Sequence, residues 1–291
     1  MIAELTNKVD LYTYYNVIKA DTPYWFDVPF DIWYASMFED SDCEGNVLFQ
    51  ELCTYVSIEN GAINGFIQFG IPSFVFDNAG NKDFETKAGI IRNVYFGKDN
   101  EAIGRALIET AFSWFDKYKA TCKFAFYHYF GMTCNAGHGK LYYSQLHIEN
   151  LLSDYGFKKE HENVYFKRLL SRNEILRSDL AKIEYGTINE KGLCNFYIVV
   201  NGKRVGAGSF VYLPQGSICY LKWIYIEACY KGKGYGKAAL HCLFFDLGQQ
   251  GIKRIDTDTA DNNIVAQGLY LSTGFADMGR TQSYEHPIKE L

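Results

Sequence analysis

The sequence predicts an α/β fold, a mixed and mostly antiparallel sheet flanked by helices, that occurs twice in one chain. Three kinds of segment recur in the same order. The first is a pair of strands joined by Asn-Gly (54–70 and 196–212). The second is a strand, a polar loop and a helix (93–112 and 224–244), and the third is a helix that ends in Gly-Phe (151–157 and 269–275). Because all three pairs keep their order at similar offsets, we infer a duplication and two tandem domains.

Local residue types predict each of these elements. The dipeptides Asn60-Gly61 and Asn201-Gly202, flanked by apolar strands, are typical of two-residue hairpin turns. After each polar loop, apolar residues recur at helical spacing. Gly156 and Gly274 suit the left-handed residue that closes a helix.

The two domains are predicted over residues 1–168 and 169–291. Between the copies, residues 168–185 predict a connecting helix. Its apolar side comprises Leu170, Ile175, Leu176 and Leu180. About fifty residues precede the first hairpin, but only about twenty-five lie between the boundary and the second. The second copy has therefore lost most of its leading segment.

Composition narrows the class of protein. A chain of 291 residues with 48% hydrophobic content can build two cores, and it contains no run of about eighteen apolar residues. The start lacks the pattern of a signal peptide, so we expect a soluble, cytoplasmic protein. The eight cysteines form no C-x-x-C pair, which disfavours a disulfide framework or a metal site. A net charge of −5 argues against nucleic acid as partner and leaves room for a cationic substrate.

The segment "CYKGKGYGKAAL" (229–240) predicts an anion site at the start of a helix. Unpaired N–H groups and the helix dipole favour negative charge there, and glycines admit a phosphate to the main chain. A Walker A loop is excluded because only three residues separate Gly232 from Gly236 and Ala238 follows Lys237. Alternating glycines also exclude the dinucleotide fingerprint. A glycine-rich turn before an ordinary helix is the alternative.

Two motifs in order resemble those of the GNAT superfamily of acyl-coenzyme A dependent N-acyltransferases. The first is Lys231-Gly232-Lys233-Gly234-Tyr235-Gly236, with Lys231 in a slot that usually holds Arg or Gln. The second comprises Asn263, Ala266, Leu269, Tyr270, Gly274 and Phe275. The resemblance covers residues 195–285 well and the first copy only in outline.

The resemblance implies acetyl-coenzyme A as cofactor and assigns roles to residues. The residues expected to bind the cofactor are Ile224, Ile226, Lys231, Gly232, Lys233, Gly234, Tyr235, Gly236, Lys237 and Asn263. Tyr270 is the implied acid that protonates the departing thiolate. For the base, Glu227 is our candidate, while Asp256, Asp258 and a chain of waters stay open.

The first copy is expected to have lost the cofactor. We call residues 231–236 of the second copy the cradle; the corresponding residues of the first copy are Asp99-Asn100-Glu101-Ala102-Ile103-Gly104. Ala102 takes the slot of Gly234, and the two carboxylates would repel a pyrophosphate. Arg105 offers partial compensation. We expect the aromatic run 22–34 either to line the acceptor site of the second copy or to pack as core. The glycine-containing loop 131–140, bordered by His128 and His138, is expected to be a plain surface loop, or a mobile one near a site.

These observations predict an N-acetyltransferase. Its C-terminal domain would transfer an acetyl group from acetyl-coenzyme A to a primary amine of a small molecule by direct attack. Two alternatives stay open, a non-catalytic acyl-coenzyme A sensor or scaffold and a protein N-acetyltransferase. Retention of Asn263 and Tyr270 favours the enzyme, because a binder needs no acid beside the sulfur.

Overall fold

The structure is a computed structural model that describes residues 1–5, 8–21, 28–39, 41–77, 79–171 and 177–286. The chain divides into two compact units. The first comprises Met1–Glu162 and Thr281–Leu291, and the second comprises Asn163–Arg280.

The first unit is built on a mixed sheet. Its elements are β1 (Ile2–Glu4), α1 (Lys8–Asp21), α2 (Phe30–Met37), β2 (Phe49–Glu59), β3 (Ala62–Pro72), β4 (Val75–Phe76), β5 (Lys82–Asp83), β6 (Ala88–Phe96), α3 (Glu101–Lys117), β7 (Cys122–Ala125), β8 (Leu141–Tyr142), α4 (Leu146–Asp154) and the start of β9 (Lys158–Leu169). The strands follow the order β1-β2-β3-β6-β7, in which β6 and β7 are parallel and the other neighbours antiparallel.

The second unit repeats this plan. Its elements are the rest of β9, β10 (Lys182–Tyr185), β11 (Leu193–Val200), β12 (Lys203–Tyr212), β13 (Ile218–Ile226), α5 (Tyr235–Gln249), β14 (Arg254–Ala260), α6 (Ile264–Ser272) and the start of β15 (Ala276–His286). The order is β10-β11-β12-β13-β14-β9, with β13 and β14 parallel. The described part of this unit has no helix before β11, as expected from its shortened leading segment.

The last strand of each sheet comes from the other half of the sequence. The closing strand of the first unit is the end of β15, where Tyr284 lies opposite Ala125 of β7. In the second unit β9 has this place, with Phe166 opposite Thr257 of β14. The division of the chain therefore differs from the predicted boundary at residue 168, since each copy contributes its final strand to the opposite unit.

The predicted hairpins and helix ends are confirmed. Asn60 and Gly61 have φ of 51° and 79°, and Asn201 and Gly202 have φ of 49° and 76°, so both turns use two left-handed residues. Gly156 and Gly274, with φ of 84° and 85°, follow α4 and α6. The repeated local signals therefore produce the same geometry in both units.

The predicted connecting helix is wrong in the described residues. Residues 168 and 169 belong to β9, and the chain enters β10 at Lys182. The N–H of Leu170 donates to the carbonyl of Lys253 at 2.8 Å, so pairing with the sheet overrides the helical spacing of the leucines. Ile175 and Leu176 lie outside the described residues.

The described part of the aromatic run packs as core of the first unit. Trp33 is fully buried, with its ring centroid 4.8 Å from that of Tyr15 and 5.9 Å from that of Phe66. Residues 22–27 lie outside the described ones. This packing agrees with the core interpretation of the run.

The prediction of a plain surface loop at residues 131–140 is wrong, because nearly all of this loop is buried. A Cβ on Gly131 would lie 2.4 Å from the main chain of His138, and the N–H of Gly131 donates to the carbonyl of Gly137 at 3.0 Å. Glycine lets the two arms of the loop pack main chain to main chain.

The core of the second unit fixes the position of α5. Leu240, Leu243, Phe244 and Leu247 are buried on one side of this helix and pack in a cluster with sheet residues such as Leu221. The beginning of α5 is thereby held beside the end of β13. In the part of the chain that the structure describes, no helix is both long enough and apolar enough to cross a membrane.

Candidate active site

Strands β13 and β14 pair only at their beginnings. The parallel register joins Ile218–Leu221 to Arg254–Thr257, and β13 then continues to Ile226 while β14 continues to Ala260. Lys222 is a β-bulge, since Leu221 and Trp223 lie opposite the consecutive residues Phe210 and Ser209 of β12. The bend occurs where the two strands separate, so a cleft opens between them.

One edge of β13 turns its main chain toward this cleft. The N–H of Glu227 donates to the carbonyl of Val205 at 2.9 Å, and bonded pairs alternate along an antiparallel ladder. The N–H and C=O groups of Ile226 and Ile224 therefore point away from β12. An extended ligand in the cleft can pair with them as an added strand.

The loop after β13 leads into the start of α5 through two left-handed glycines. Gly232 and Gly234 have φ of 75° and 80°, a conformation that L residues rarely adopt. No atom lies within 4 Å of a Cβ built on Gly232, and Gly234 is the N-cap of α5. Because a glycine offers no capping side chain, the first N–H groups of α5 are left for an anion.

A cavity of about 580 Å³ lies between these elements and α6. Ten predicted site residues line it, namely Ile224, Ile226, Lys231, Gly232, Gly234, Tyr235, Gly236, Lys237, Asn263 and Tyr270. Glu227 and Lys233 do not line it; both are exposed. The structure adds Tyr225, Tyr230, Val265, Ala266 and Leu269. Ala266 lies one helical turn before Tyr270 and before Leu269, and both Ala266 and Leu269 belong to the second motif, whereas no local signal marks Tyr225.

Helix α6 positions Tyr270 at the inner end of the cavity. Asn263 caps the helix, its Oδ1 accepting from the N–H of Ala266 at 3.2 Å while its Nδ2 donates to Thr259 at 3.1 Å. Tyr270 is only 4% exposed and packs against Phe166 and Phe275. Burial raises the pKa of Tyr270 to about 12, against a lowering by the hydroxyl of Thr257. The phenol therefore keeps its proton at neutral pH.

The alternative bases lie on one face of β14, outside the cavity lining. Burial raises the pKa of Asp256 to about 6; Arg254 Nε lies 3.2 Å from Asp256 Oδ1, and Tyr165 donates to Oδ2 at 2.8 Å. Asp258 accepts hydrogen bonds from the side chains of Asn163 and Tyr220. These contacts give both carboxylates structural partners.

Comparison with known proteins relates about two fifths of the chain to a protein family. Residues 157–275 match the model of the acetyltransferase (GNAT) family. We refer to this segment as the GNAT domain because of its match to that family model. N-acetylaspartate synthetase of Xenopus tropicalis is 26% identical to this chain over 126 residues, which are 42% of this chain and 46% of that protein. The chain thus spans less than half of that curated relative.

Solved structures share the fold of the GNAT domain and its tandem arrangement. A GCN5-related N-acetyltransferase from Sphaerobacter thermophilus has a TM-score of 0.64 at 10% identity, covering 100% of this chain and 97% of that one. A tandem GNAT protein from the clavulanic acid biosynthesis pathway has a TM-score of 0.52 at 10% identity, covering 81% and 82%. The predicted tandem α/β architecture is confirmed.

In the first unit, the cradle loop is missing rather than substituted. Four residues join Phe96 to Glu101, the first residue of α3, whereas eight join Ile226 to Tyr235. Ala102 therefore lies inside α3, whereas Gly234 precedes α5 as its N-cap. Nor is Arg105 available as compensation, because its guanidinium binds Glu101 and, at 2.6 Å, Asp154.

In the first unit, side chains also fill the space that corresponds to the cleft between β13 and β14. Phe96 pairs with Gly65 of β3 as Ile226 pairs with Gly206 of β12, and a Cβ on Gly104 or on Gly236 would face that strand residue in its own unit. His147 Nε2 lies 2.9 Å from the carbonyl oxygen of Phe96. A Cβ on Gly104 would meet the Phe96 ring at 2.5 Å and Leu151 at 2.6 Å. A Cβ on Gly236 would lie 3.6 Å or more from its nearest neighbouring atoms.

A matched pair of alanine substitutions tests this difference. Gly104→Ala is expected to lower the free energy of unfolding by about 1–3 kcal/mol, because Cβ overlaps the Phe96 ring. Gly236→Ala meets only ordinary contacts and gains helix propensity, so the cofactor-free protein should be unchanged or up to about 1 kcal/mol more stable. Urea unfolding of both variants measures the effect. Equal losses would contradict an open cleft in the second unit.

Proposed function

We propose that the second unit transfers an acetyl group from acetyl-coenzyme A to a primary amine of a small molecule. The observation that carries the proposal is the convergence, in one cavity, of the free edge of β13, the uncapped start of α5 and the Tyr270 hydroxyl. The family match supports acyl transfer. Acetyl-coenzyme A supplies a thioester whose acetyl carbon accepts the amine.

The residues present fit this cofactor. The glycines of the cradle leave space for a pyrophosphate, and Lys231 and Lys237 add favourable charge at the rim of the cavity. The apolar side chains of Val265, Ala266 and Leu269 suit an extended pantetheine arm whose amides pair with Ile224 and Ile226. Asn263 would contribute by holding α6 in place.

Protein groups then assist the transfer at three atoms. The N–H of Ile226, directed into the cleft, donates to the thioester oxygen as negative charge develops on it. Tyr270 donates its phenolic proton to the departing sulfur. We propose that the amine proton leaves through water to Glu227, whose exposed carboxylate directly follows Ile226.

Glu227→Gln is expected to lower kcat about tenfold, because an exposed carboxylate acting through water contributes less than a base in direct contact. The Kd for acetyl-coenzyme A should stay unchanged, since Glu227 does not line the cavity. Steady-state kinetics and titration calorimetry measure the two constants. Unchanged turnover would remove Glu227 from the proton path.

Release of free thiol from acetyl-coenzyme A tests the function directly. The full chain is mixed with a panel of primary amines that includes polyamines, aminoglycosides and amino acids, and mass spectrometry identifies the acetylated product. Aspartate belongs in the panel because of the N-acetylaspartate synthetase match. Stoichiometric binding of acetyl-coenzyme A without acetylation of any amine in the panel would favour the non-catalytic sensor.

A further inference from the structure

The first unit contains a cavity of its own, about 480 Å³ in volume. Residues of β4 and of the turn between β4 and β5, one residue of β7, the segment after β7, and single residues of β9 and β15 enclose it. All its lining residues belong to the first unit. A volume in this range suits a small organic ligand.

Aromatic rings form much of its wall. Phe76, Phe124, Tyr127 and Tyr129 line the cavity, and the rings of Phe124 and Tyr127 stack at a centroid distance of 4.5 Å. The hydroxyl of Tyr127 accepts from the N–H of Phe76 at 3.3 Å, which holds two of the walls together. Stacked, hydrogen-bonded rings are a rigid surface whose faces carry negative partial charge.

The backbone that presents these rings adopts an uncommon conformation. Phe126 and Tyr129 have φ of 52° and 66°, in the left-handed region that bulky residues rarely occupy. Tyr129 nonetheless remains 55% exposed, so burial of its own ring does not compensate this cost. The segment from Phe126 to Tyr129 thus presents two of the lining rings, Tyr127 and Tyr129, from an uncommon backbone conformation.

His128, Gly80 and three carboxylates, Asp77, Glu160 and Glu285, complete the lining, and no Lys or Arg lines it among the described residues. Ser283 donates to Glu160 Oε2 at 2.8 Å and orients that carboxylate. Burial and the charge of Glu285 raise the pKa of Glu160, although nearby Lys140 acts in the opposite direction. The carboxylates thus leave a negative potential that a cation in the cavity would relieve.

We propose that this cavity binds a small organic ammonium ion. The aromatic faces receive its carbon atoms and its positive charge, and Glu160 and Glu285 pair with the charged nitrogen. A metal ion fits less well, because no group of three His, Cys, Asp or Glu side chains among the described residues could hold one. The first unit, without a cofactor cradle, would then serve as a ligand-binding module.

Calorimetric titration of n-butylammonium and tetramethylammonium chloride into the full chain tests the proposal, with n-butanol as a neutral isostere. Saturable binding of at least one ammonium ion, and none of n-butanol, is expected. The double variant Glu160→Gln/Glu285→Gln should lose at least about tenfold in affinity, because charged hydrogen bonds are removed. The matched control Glu59→Gln/Glu109→Gln removes as much charge from exposed positions of the same unit and should keep the affinity.

A second variant guards against misfolding of the first. Tyr129→Leu keeps an apolar side chain at an exposed position but removes the aromatic face, and it should weaken binding about threefold. Thermal unfolding of each variant verifies that it is folded. No saturable binding, equal binding of n-butanol, or full affinity in the carboxylate variant would each overturn the proposal.

Discussion

Gly234→Glu is expected to abolish binding of acetyl-coenzyme A to the full chain. Gly234 is the N-cap of α5 with φ of 80°, so any side chain there is strained by about 1–2 kcal/mol. The new carboxylate would also occupy the helix N–H groups that a pyrophosphate needs, and would repel it by about 1 kcal/mol at 4 Å in water, more where water is excluded. Together these effects predict at least about a hundredfold loss in affinity, measured by titration calorimetry.

Gly216→Glu is the matched control. Gly216 lies in the turn between β12 and β13 of the same unit, with φ of 76° and no atom within 4 Å of the position that a Cβ would take. The substitution introduces the same strain and charge but not at the start of a helix, so the affinity for acetyl-coenzyme A should be unchanged. Retained binding in Gly234→Glu, or two binding sites per wild-type chain, would contradict a single cradle in the second unit.

The parts of the fold that the sequence predicted depend on local backbone chemistry. Asn60-Gly61 and Asn201-Gly202 favour one turn type, and a glycine after α4 and α6 favours one way to end a helix. Such signals act within a few residues and need no information about distant segments. The cradle belongs to the same class, because Gly232 and Gly234 define its conformation themselves.

The exchange of the closing strands could not be predicted in this way. β9 and β15 follow equivalent helices, and either strand could in principle complete either sheet. The choice depends on pairs such as Phe166 with Thr257 and Tyr284 with Ala125, which are more than 90 residues apart in sequence. The prediction of a connecting helix was wrong for the same reason, since the N–H of Leu170 donates to the carbonyl of Lys253, directly before β14.

The closed cleft of the first unit has a similar explanation. The two carboxylates and the loss of a glycine predicted that this copy lacks the cofactor, and the structure adds a shorter loop and the contacts of Phe96 with Gly104 and His147. His147 lies 51 residues from Phe96, so nothing near either residue indicates their contact. Comparing the lengths of the two loops before the helices would have given a hint of it.

Tyr270→Phe is expected to lower kcat by about 10²–10⁴-fold, the usual contribution of a positioned acid. The phenol lies at the inner end of the cavity and keeps its proton because burial raises its pKa to about 12. Removing only the hydroxyl leaves the ring packed against Phe166 and Phe275, so the Kd for acetyl-coenzyme A should change little. Steady-state kinetics measures the change in kcat, and titration calorimetry measures the change in the Kd for acetyl-coenzyme A.

The pH profile and a matched control make this result specific to proton donation. An acid must be protonated to act, so a pKa near 12 keeps Tyr270 active throughout the neutral and mildly alkaline range. If kcat instead falls with an apparent pKa near 10, the ordinary value of tyrosine, the result would contradict the burial of Tyr270. Tyr284→Phe removes another buried hydroxyl, one that donates to Gln282 at 2.7 Å in the first unit, and should leave kcat unchanged. If both variants lose turnover equally, the loss reflects destabilisation of the fold, and Tyr270 is not the acid.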